Sequence, residues 1–385
     1  MNEKTILIPA YDFKPALGGV ANYGHELAVQ FSQRARVHVV TRRLAGMEDF
    51  DQSLPYRITR IPTPQSGLFS FPLFARALRP LVRLEPPDVV FCPMWFPDGA
   101  ACRWALRQAP IPYFVAAHGT EVFENLAGAK NILRTLLLRT LKKKVFQQAE
   151  KVFPVSHYTR KAVLEEAPGS DDKVITVHNG VNREMFKRTA LNSTFQAKYK
   201  SHGERILLTV TRLHPYKGVD RMLESLPAIS RAVPNVRYLV VGDGPDRPRL
   251  QELTARLGLQ AQVCFLGRLT FSEIVDLYNL ADLFVLLSRE EPPDVEGFGL
   301  VFLEAAACGL PSVGGRSGGI PEAVDDGRSG WLVDPSNTHL IATTIVDLLK
   351  SPDQLKRASE FCLSASREAS WERAGEKILE EMFSV

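Results

Sequence analysis

Arg205-Ile-Leu-Leu-Thr-Val210, running straight into Thr211-Arg212-Leu-His-Pro-Tyr-Lys217-Gly218, is the stretch on which the fold turns. An apolar, β-branched run of strand length breaks at a loop that holds Pro, Gly and two cations. The same grammar recurs in both directions. Upstream, strand-like runs lie at 5–10, 37–41, 88–93, 113–118, 152–156 and 174–178; downstream, at 205–210, 236–241, 262–266, 283–288, 312–314 and 330–333. Continuous apolar runs separated by amphipathic helical segments predict parallel sheets covered on both faces. Two sets of six predict an α/β protein of two Rossmann-like, doubly wound domains. Residues 183–203 are polar and weakly patterned, so a hinge is expected at 186–203, between a domain at 1–185 and a second at 204–365. The terminal segment 366–385 carries an amphipathic helix at 371–383. Sheets of this kind bind ligands at the carboxyl ends of their strands, so the chemistry is expected just after strands.

At 385 residues the chain is long for one domain, and 45% hydrophobic with 23% charged residues is ordinary for a soluble protein with a full core. The net charge of +4 excludes a generic nucleic-acid binder and leaves any basic function local. Five cysteines, Cys92, Cys102, Cys264, Cys308 and Cys362, are scattered, with no C-x-x-C pair. They read as reduced thiols of a cytoplasmic protein. The amino terminus has no secretory hydrophobic region, and no apolar run reaches the ~18–20 residues needed to cross a bilayer.

The residues that carry chemistry follow the strands. Gly18 and Gly19 precede a helix after the first run; such a pair serves either a tight strand-to-helix turn or close backbone approach to a phosphate at a helix start. Arg212 and Lys217 can neutralise a diphosphate and stabilise it as a leaving group, or can be solvated surface cations. Val240-Val-Gly242-Asp-Gly244-Pro245 is G-x-G without the third glycine, a weak dinucleotide signature. Asp294-Val-Glu296-Gly-Phe-Gly-Leu-Val-Phe-Leu-Glu304 carries two glutamates eight positions apart, one on a Gly-rich loop and one inside the next helix. A loop carboxylate there can accept from sugar hydroxyls, a helix carboxylate can hold a ribose diol, and the Leu300 and Val301 N–H groups face phosphate. The alternative is an acidic pair placed by the helix dipole. Gly314-Gly-Arg-Ser-Gly318-Gly319-Ile-Pro-Glu322 is a further Gly-rich loop entering a helix.

Taken in order, Gly18-Gly19, His118-Gly-Thr-Glu121, Asn179-Gly-Val, Arg212 with Lys217-Gly, Gly242-Asp-Gly-Pro, Glu296-x7-Glu304 and Ser317-Gly-Gly-Ile-Pro-Glu resemble the family-4 retaining glycosyltransferases over nearly the whole chain. The resemblance implies the GT-B fold: two Rossmann-like domains facing across a cleft, with a C-terminal helix returning to the first. It implies that Arg212 and Lys217 bind the donor diphosphate and that Gly19 approaches it from the other domain. Glu304 would hold the ribose, and Glu296, Phe298 and Gly299 would lie near the donor sugar. His118 would lie beside the reacting centre, where without the family context a hydrogen-bonded histidine at a strand end is the better reading. No Asp-x-Asp metal motif is present, and the resemblance implies a metal-independent, cofactor-free transfer. Retention then proceeds by front-face attack or through a covalent intermediate, and the lack of a spare nucleophile leans to the first.

The segment 288–304 is longer before Glu296 than a minimal motif and resembles that of bacterial mannosyltransferases acting on phosphatidylinositol-type lipids. GDP-mannose is therefore the favoured donor, ahead of a UDP-hexose. Residues 125–149 contain no acidic side chain; Arg134, Arg139, Lys142, Lys143 and Lys144 accompany a Leu133, Leu137, Leu141, Val145 stripe. Such a helix either packs by its leucines or lies on an anionic membrane at the inner face of the cell, where a lipid-linked or envelope glycan acceptor would be met. The competing readings are a UDP-hexose transferase with a soluble acceptor and a non-enzymatic nucleotide-sugar-binding protein. A dehydrogenase is disfavoured by the incomplete glycine fingerprint. Oligomeric state is not legible.

Overall fold

The structure, a computed structural model, describes residues 4–16, 18–62, 70–107, 109–123 and 132–384. The chain divides into two units: Met1–Gly180 together with Trp371–Val385, and Val181–Ser370.

The first unit is built on six parallel strands: β1 (Thr5–Pro9), β2 (Arg36–Arg42), β3 (Arg57–Ile61), β4 (Val89–Cys92), β5 (Tyr113–Ala117) and β6 (Val152–Pro154), in the order β3-β2-β1-β4-β5-β6. Helices cover both faces, so β4 and β5 are buried along their whole length, which is why they read as unbroken apolar runs. Edge strand β3, Arg-Ile-Thr-Arg-Ile, escaped the sequence reading because arginines interrupt it and no residue in it is fully buried. The expected strand at 174–178 is not one. It makes an isolated bridge from Val174 to Val152, and the Ile175 and Val177 N–H groups donate to Val152 and Pro154. Helix Trp371–Phe383 belongs to this unit and lies against helix Gly19–Ser32. Gly375 permits the close approach, since a Cβ there would come within 2.7 Å of Gln30 Cβ. Lys151 Nζ holds the far end of the helix through Glu381 at 2.6 Å.

The second unit repeats the design with β7 (Arg205–Val210), β8 (Val236–Val241), β9 (Val263–Gly267), β10 (Leu283–Leu286), β11 (Ser312–Gly315) and β12 (Gly330–Val333), in the order β12-β11-β10-β7-β8-β9. The expected runs here agree with the strands to within two residues. The expected linker at 186–203 is instead part of this unit. Asn192 caps helix Ser193–Tyr199, the Thr189 N–H donates to Asn279 at 2.9 Å, and Lys200 Nζ reaches Asp282 at 2.8 Å. Polar residues there make tertiary hydrogen bonds, which composition alone reads as solvent exposure. The chain passes between units at 180–181 and 370–371, and Val181 and Ser370 form an isolated parallel bridge.

Each sheet reverses its winding once, between β1 and β4 and between β7 and β10. The loops leaving those strands flank the crevice where doubly wound sheets bind ligands.

Candidate functional site

At the β7/β10 reversal, the loop after β7 carries Arg212 and Lys217, and the loop after β10 carries Glu296. Lys217 Nζ donates to Glu296 Oε2 at 2.5 Å, so one ion pair joins the two loops across the crevice. Lys217 sits in a single helical turn, Pro215–Lys217, that ends at left-handed Gly218. Glycine is required there, because a Cβ would fall 1.9 Å from the Leu287 carbonyl oxygen. Burial disfavours the ammonium, but the Glu296 carboxylate and Tyr216 beside it outweigh that and raise the Lys217 pKa above its ordinary value. A second tie fixes the loops: the Arg289 N–H donates to the Tyr216 carbonyl, and its guanidinium grips buried Asp220 at 2.8 Å. Arg212 is exposed and makes no ion pair among the described residues. The His214 pKa is lowered by partial burial and by the charges of Arg212 and Lys217.

Beyond Glu296 the backbone turns through Gly297, Phe298 and left-handed Gly299 into helix Leu300–Ala307, which has no side-chain cap. Phe298 is buried. The start of this helix, at Leu300 and Val301, therefore presents amide donors and the positive end of a dipole. Glu304 lies one turn in, where the Tyr278 hydroxyl donates to it at 3.0 Å. Burial, then the Glu304 charge, pushes the Cys308 thiol up to about 12. The Gly318-Gly319 loop packs on the same segment, with the Gly319 N–H donating to the Glu296 carbonyl at 2.8 Å. Gly242 and Gly244 lie against the first loop: their Cβ positions are 1.8 Å from the Thr211 oxygen and 2.3 Å from the Leu213 oxygen. The G-x-G signature thus lets the loop after β8 nest against the cation-bearing loop. An ammonium, a guanidinium and an open helix start can neutralise a diphosphate, with Glu296 an acceptor for hydroxyls.

The first unit has its own link across a reversal. Asp98, in the short helical turn Trp95–Gly99 that follows β4, is buried and accepts from the Tyr11 N–H, in the loop after β1, at 2.8 Å. Its other oxygen has no hydrogen-bond partner among the described residues, and burial, against the Tyr11 hydrogen bond, raises its pKa well above the carboxylate range. Gly18, at φ 148°, precedes helix Gly19–Ser32, and space is open where its Cβ would stand. His118 ends β5. Its Nε2 lies 2.7 Å from the Pro93 carbonyl, which can only accept, so the proton resides on Nε2. The His118 N–H donates to Glu121 Oε1 at 2.5 Å, and the Trp95 indole donates to the Glu121 carbonyl at 2.8 Å. Glu121 stands in the His118-Gly-Thr-Glu motif with no role legible from sequence, and Tyr278, Asp98 and Tyr11 carry no sequence signal, because their partners are distant in the chain. A cavity of about 600 Å³ lined by Thr5, Arg36, His38, Tyr56, Arg57 and Glu85 sits at the opposite, amino end of this sheet.

The basic segment is corrected at one position. On helix Ile132–Gln148, Arg139, Lys143 and Lys144 are exposed, but Lys142 is buried. Its Nζ donates to the Val122 carbonyl at 2.5 Å and lies 3.2 Å from Glu166. Leu137, expected on the packed face, is 63% exposed. The Arg134 side chain and residues 125–131 lie outside the described residues.

Two family profiles match the chain: residues 17–185 fit that described as Glycosyltransferase Family 4, and residues 192–362 fit Glycosyl transferases group 1. The chain belongs to the family-4 glycosyltransferases. It is a sugar-transferring enzyme of the GT-B fold. It is 29% identical to the GDP-mannose-dependent alpha-(1-6)-phosphatidylinositol monomannoside mannosyltransferase of Mycolicibacterium smegmatis, over 97% of each chain. It is 26% identical to the N-acetyl-alpha-D-glucosaminyl L-malate synthase of Bacillus anthracis, over 96% of this chain and 94% of that one. Among solved structures it is similar in fold to Anabaena HepE in complex with UDP and glucose, with a TM-score of 0.81 at 18% identity and full coverage of both chains.

Proposed function

We propose that this glycosyltransferase moves mannose from GDP-mannose, with retention of configuration and without a metal ion, to a hydroxyl of a phosphatidylinositol-type glycolipid. The observation that carries this reading is the Lys217–Glu296 pair across the β7/β10 reversal, with exposed Arg212 on the same loop. Breaking the sugar C1–phosphate bond leaves positive charge on the sugar ring and negative charge on the departing diphosphate. Lys217, Arg212 and the start of helix Leu300–Ala307 receive that negative charge, the task a divalent cation performs elsewhere. Glu296, fixed by Lys217, accepts from sugar hydroxyls. Glu304, oriented by Tyr278, holds the ribose. His118, with Nε2 committed to Pro93, stands by the donor sugar. Attack from the face the diphosphate leaves lets a phosphate oxygen take the acceptor's proton and preserves configuration. Mannose and the lipid acceptor are supported by the activity for which the Mycolicibacterium smegmatis relative is named and by the segment 288–304.

The acceptor is met at an anionic membrane through the outer side of helix Ile132–Gln148, where exposed Leu136 and Leu137 stand among Arg139, Lys143 and Lys144. Each basic residue near such a surface contributes about 1 kcal/mol.

The test is a donor panel of GDP-mannose, UDP-glucose and UDP-N-acetylglucosamine, with excess chelator, on vesicles containing phosphatidylinositol mannoside. Nucleotide diphosphate should be released from GDP-mannose alone, with an α-mannosyl product. Turnover with a UDP-sugar, loss of turnover to chelator, or an inverted product would each overturn the corresponding part.

A further inference from the structure

His118 has a neighbour besides its hydrogen-bond partners. The Tyr23 ring lies edge-on to the imidazole, with centroids 4.6 Å apart and planes at 87°. Tyr23 belongs to helix Gly19–Ser32, one turn past Gly18 and Gly19. Behind Tyr23 stands Trp371, with centroids 5.7 Å apart and planes at 75°. Both side chains are buried, at 2% exposure each. Trp371 is the first residue of the C-terminal helix and directly follows Ser370, which is bridged to Val181. A chain of three edge-to-face rings thus runs from the residue after β5, through the glycine-led helix, to the point where the chain returns to the first unit. Aromatic pairs in this geometry restrain one another beyond simple burial. The Tyr23 hydroxyl, by contrast, has no hydrogen-bond partner among the described residues. A buried, unbonded hydroxyl is unfavourable for the fold. The ring is therefore what the position uses.

We propose that Tyr23 and Trp371 are positioning residues for His118: the first residue of the C-terminal helix backs Tyr23, and Tyr23 fixes the imidazole plane while Pro93 fixes Nε2. The last helix thereby completes the His118 site in addition to covering the first unit. The inference rests on the reading that His118 stands at the donor sugar. Imidazole displacement is felt in the transition state more than in donor binding, so the defect falls on kcat. Misplacement of a reacting-centre group by about 1 Å costs on the order of 100-fold.

The experiment compares Tyr23→Leu, Trp371→Leu, Tyr23→Phe and His118→Ala with wild type. It measures kcat, the donor KM, and the imidazole ¹⁵N resonances. Tyr23→Leu and Trp371→Leu are expected to lower kcat by about 10- to 100-fold with KM changed less than about threefold, and to shift the His118 resonances. Tyr23→Phe, which keeps the ring, is expected to restore kcat and the resonances. If a leucine variant fails to fold, Trp371→Phe replaces it and is expected to show a smaller loss in kcat with the same KM. Folded leucine variants with wild-type kcat, or a Tyr23→Phe as impaired as Tyr23→Leu, overturn the inference. A fully active His118→Ala overturns instead the placing of His118 on which it rests.

Discussion

Lys142→Met tests most sharply how the basic helix is used. The substitution keeps an apolar stem of similar length and removes one charge. In the native chain the ammonium is 2.5 Å from the Val122 carbonyl and 3.2 Å from Glu166, whose side chain is 13% exposed. Burial lowers the Lys142 pKa, against the pull of Glu166. Removal leaves a carbonyl without its donor and a mostly buried carboxylate with Arg139, at 3.9 Å, as its one cation among the described residues. Breaking a buried pair from one side costs about 3–5 kcal/mol. Because Arg139 retains part of the interaction, the lower end, about 3 kcal/mol, is expected here. The first unit holds 195 residues, and at about 2–4 °C per kcal/mol for that size its Tm should fall by roughly 6–12 °C. Calorimetry and urea unfolding of the full chain measure it. Lys143→Ala and Lys144→Ala serve as controls and should stay within about 0.5 kcal/mol. A Lys142→Met variant within 1 kcal/mol of wild type would show that the ammonium is solvated and that all three lysines share one outward face.

The paired variant Lys143→Ala/Lys144→Ala should keep its stability but lose about 2 kcal/mol of binding to vesicles rich in anionic lipid, seen as roughly 30-fold weaker partitioning; unchanged partitioning removes this helix from the membrane surface. Asp98→Asn tests the buried carboxyl. Its folded pKa is raised above the ordinary ~3.9, so the folded state holds a proton that the unfolded state has released, and stability falls as pH rises through that window. The amide removes this loss, so the variant should match wild type near pH 4 and exceed it at pH 8 in urea unfolding; a less stable variant at pH 8 contradicts the assignment. Gly218→Ala should cost at least about 2 kcal/mol, combining a left-handed backbone with a clash on the Leu287 carbonyl, and should disorder the Lys217 turn. Wild-type stability there would show that the turn yields freely.

The fold was largely legible because parallel strands buried on both faces leave unbroken apolar runs, and eleven of the twelve strands fall on runs read from sequence. The twelfth, β3, lies at an edge with arginines at Arg57 and Arg60, where half-burial blurs the signal. Lys142 departs from the outward face expected of it for a geometric reason. A strict four-residue leucine stripe advances about 40° per step around a helix of 3.6 residues per turn, so it does not keep to one face: Leu137 is exposed, Leu141 half-buried and Val145 buried. Among the described residues of this segment, the buried positions are Leu138, Lys142, Val145, Phe146 and Ala149. The candidate donor loop was legible residue by residue because its parts are local: a strand end, a turn and a helix start. What was illegible depends on long-range pairing. Lys217 meets Glu296 across 79 positions and Tyr11 meets Asp98 across 87, and only the winding of the sheets brings them together.

The central claim is that a nucleotide diphosphate is held at the β7/β10 reversal by Lys217. Calorimetric titration of GDP into wild type and into folded Lys217→Ala tests it most directly. Loss of a charge-assisted contact to phosphate, worth about 1.5–3 kcal/mol, predicts a Kd roughly 10- to 150-fold weaker in the variant. Equal affinity in the two proteins would contradict the account.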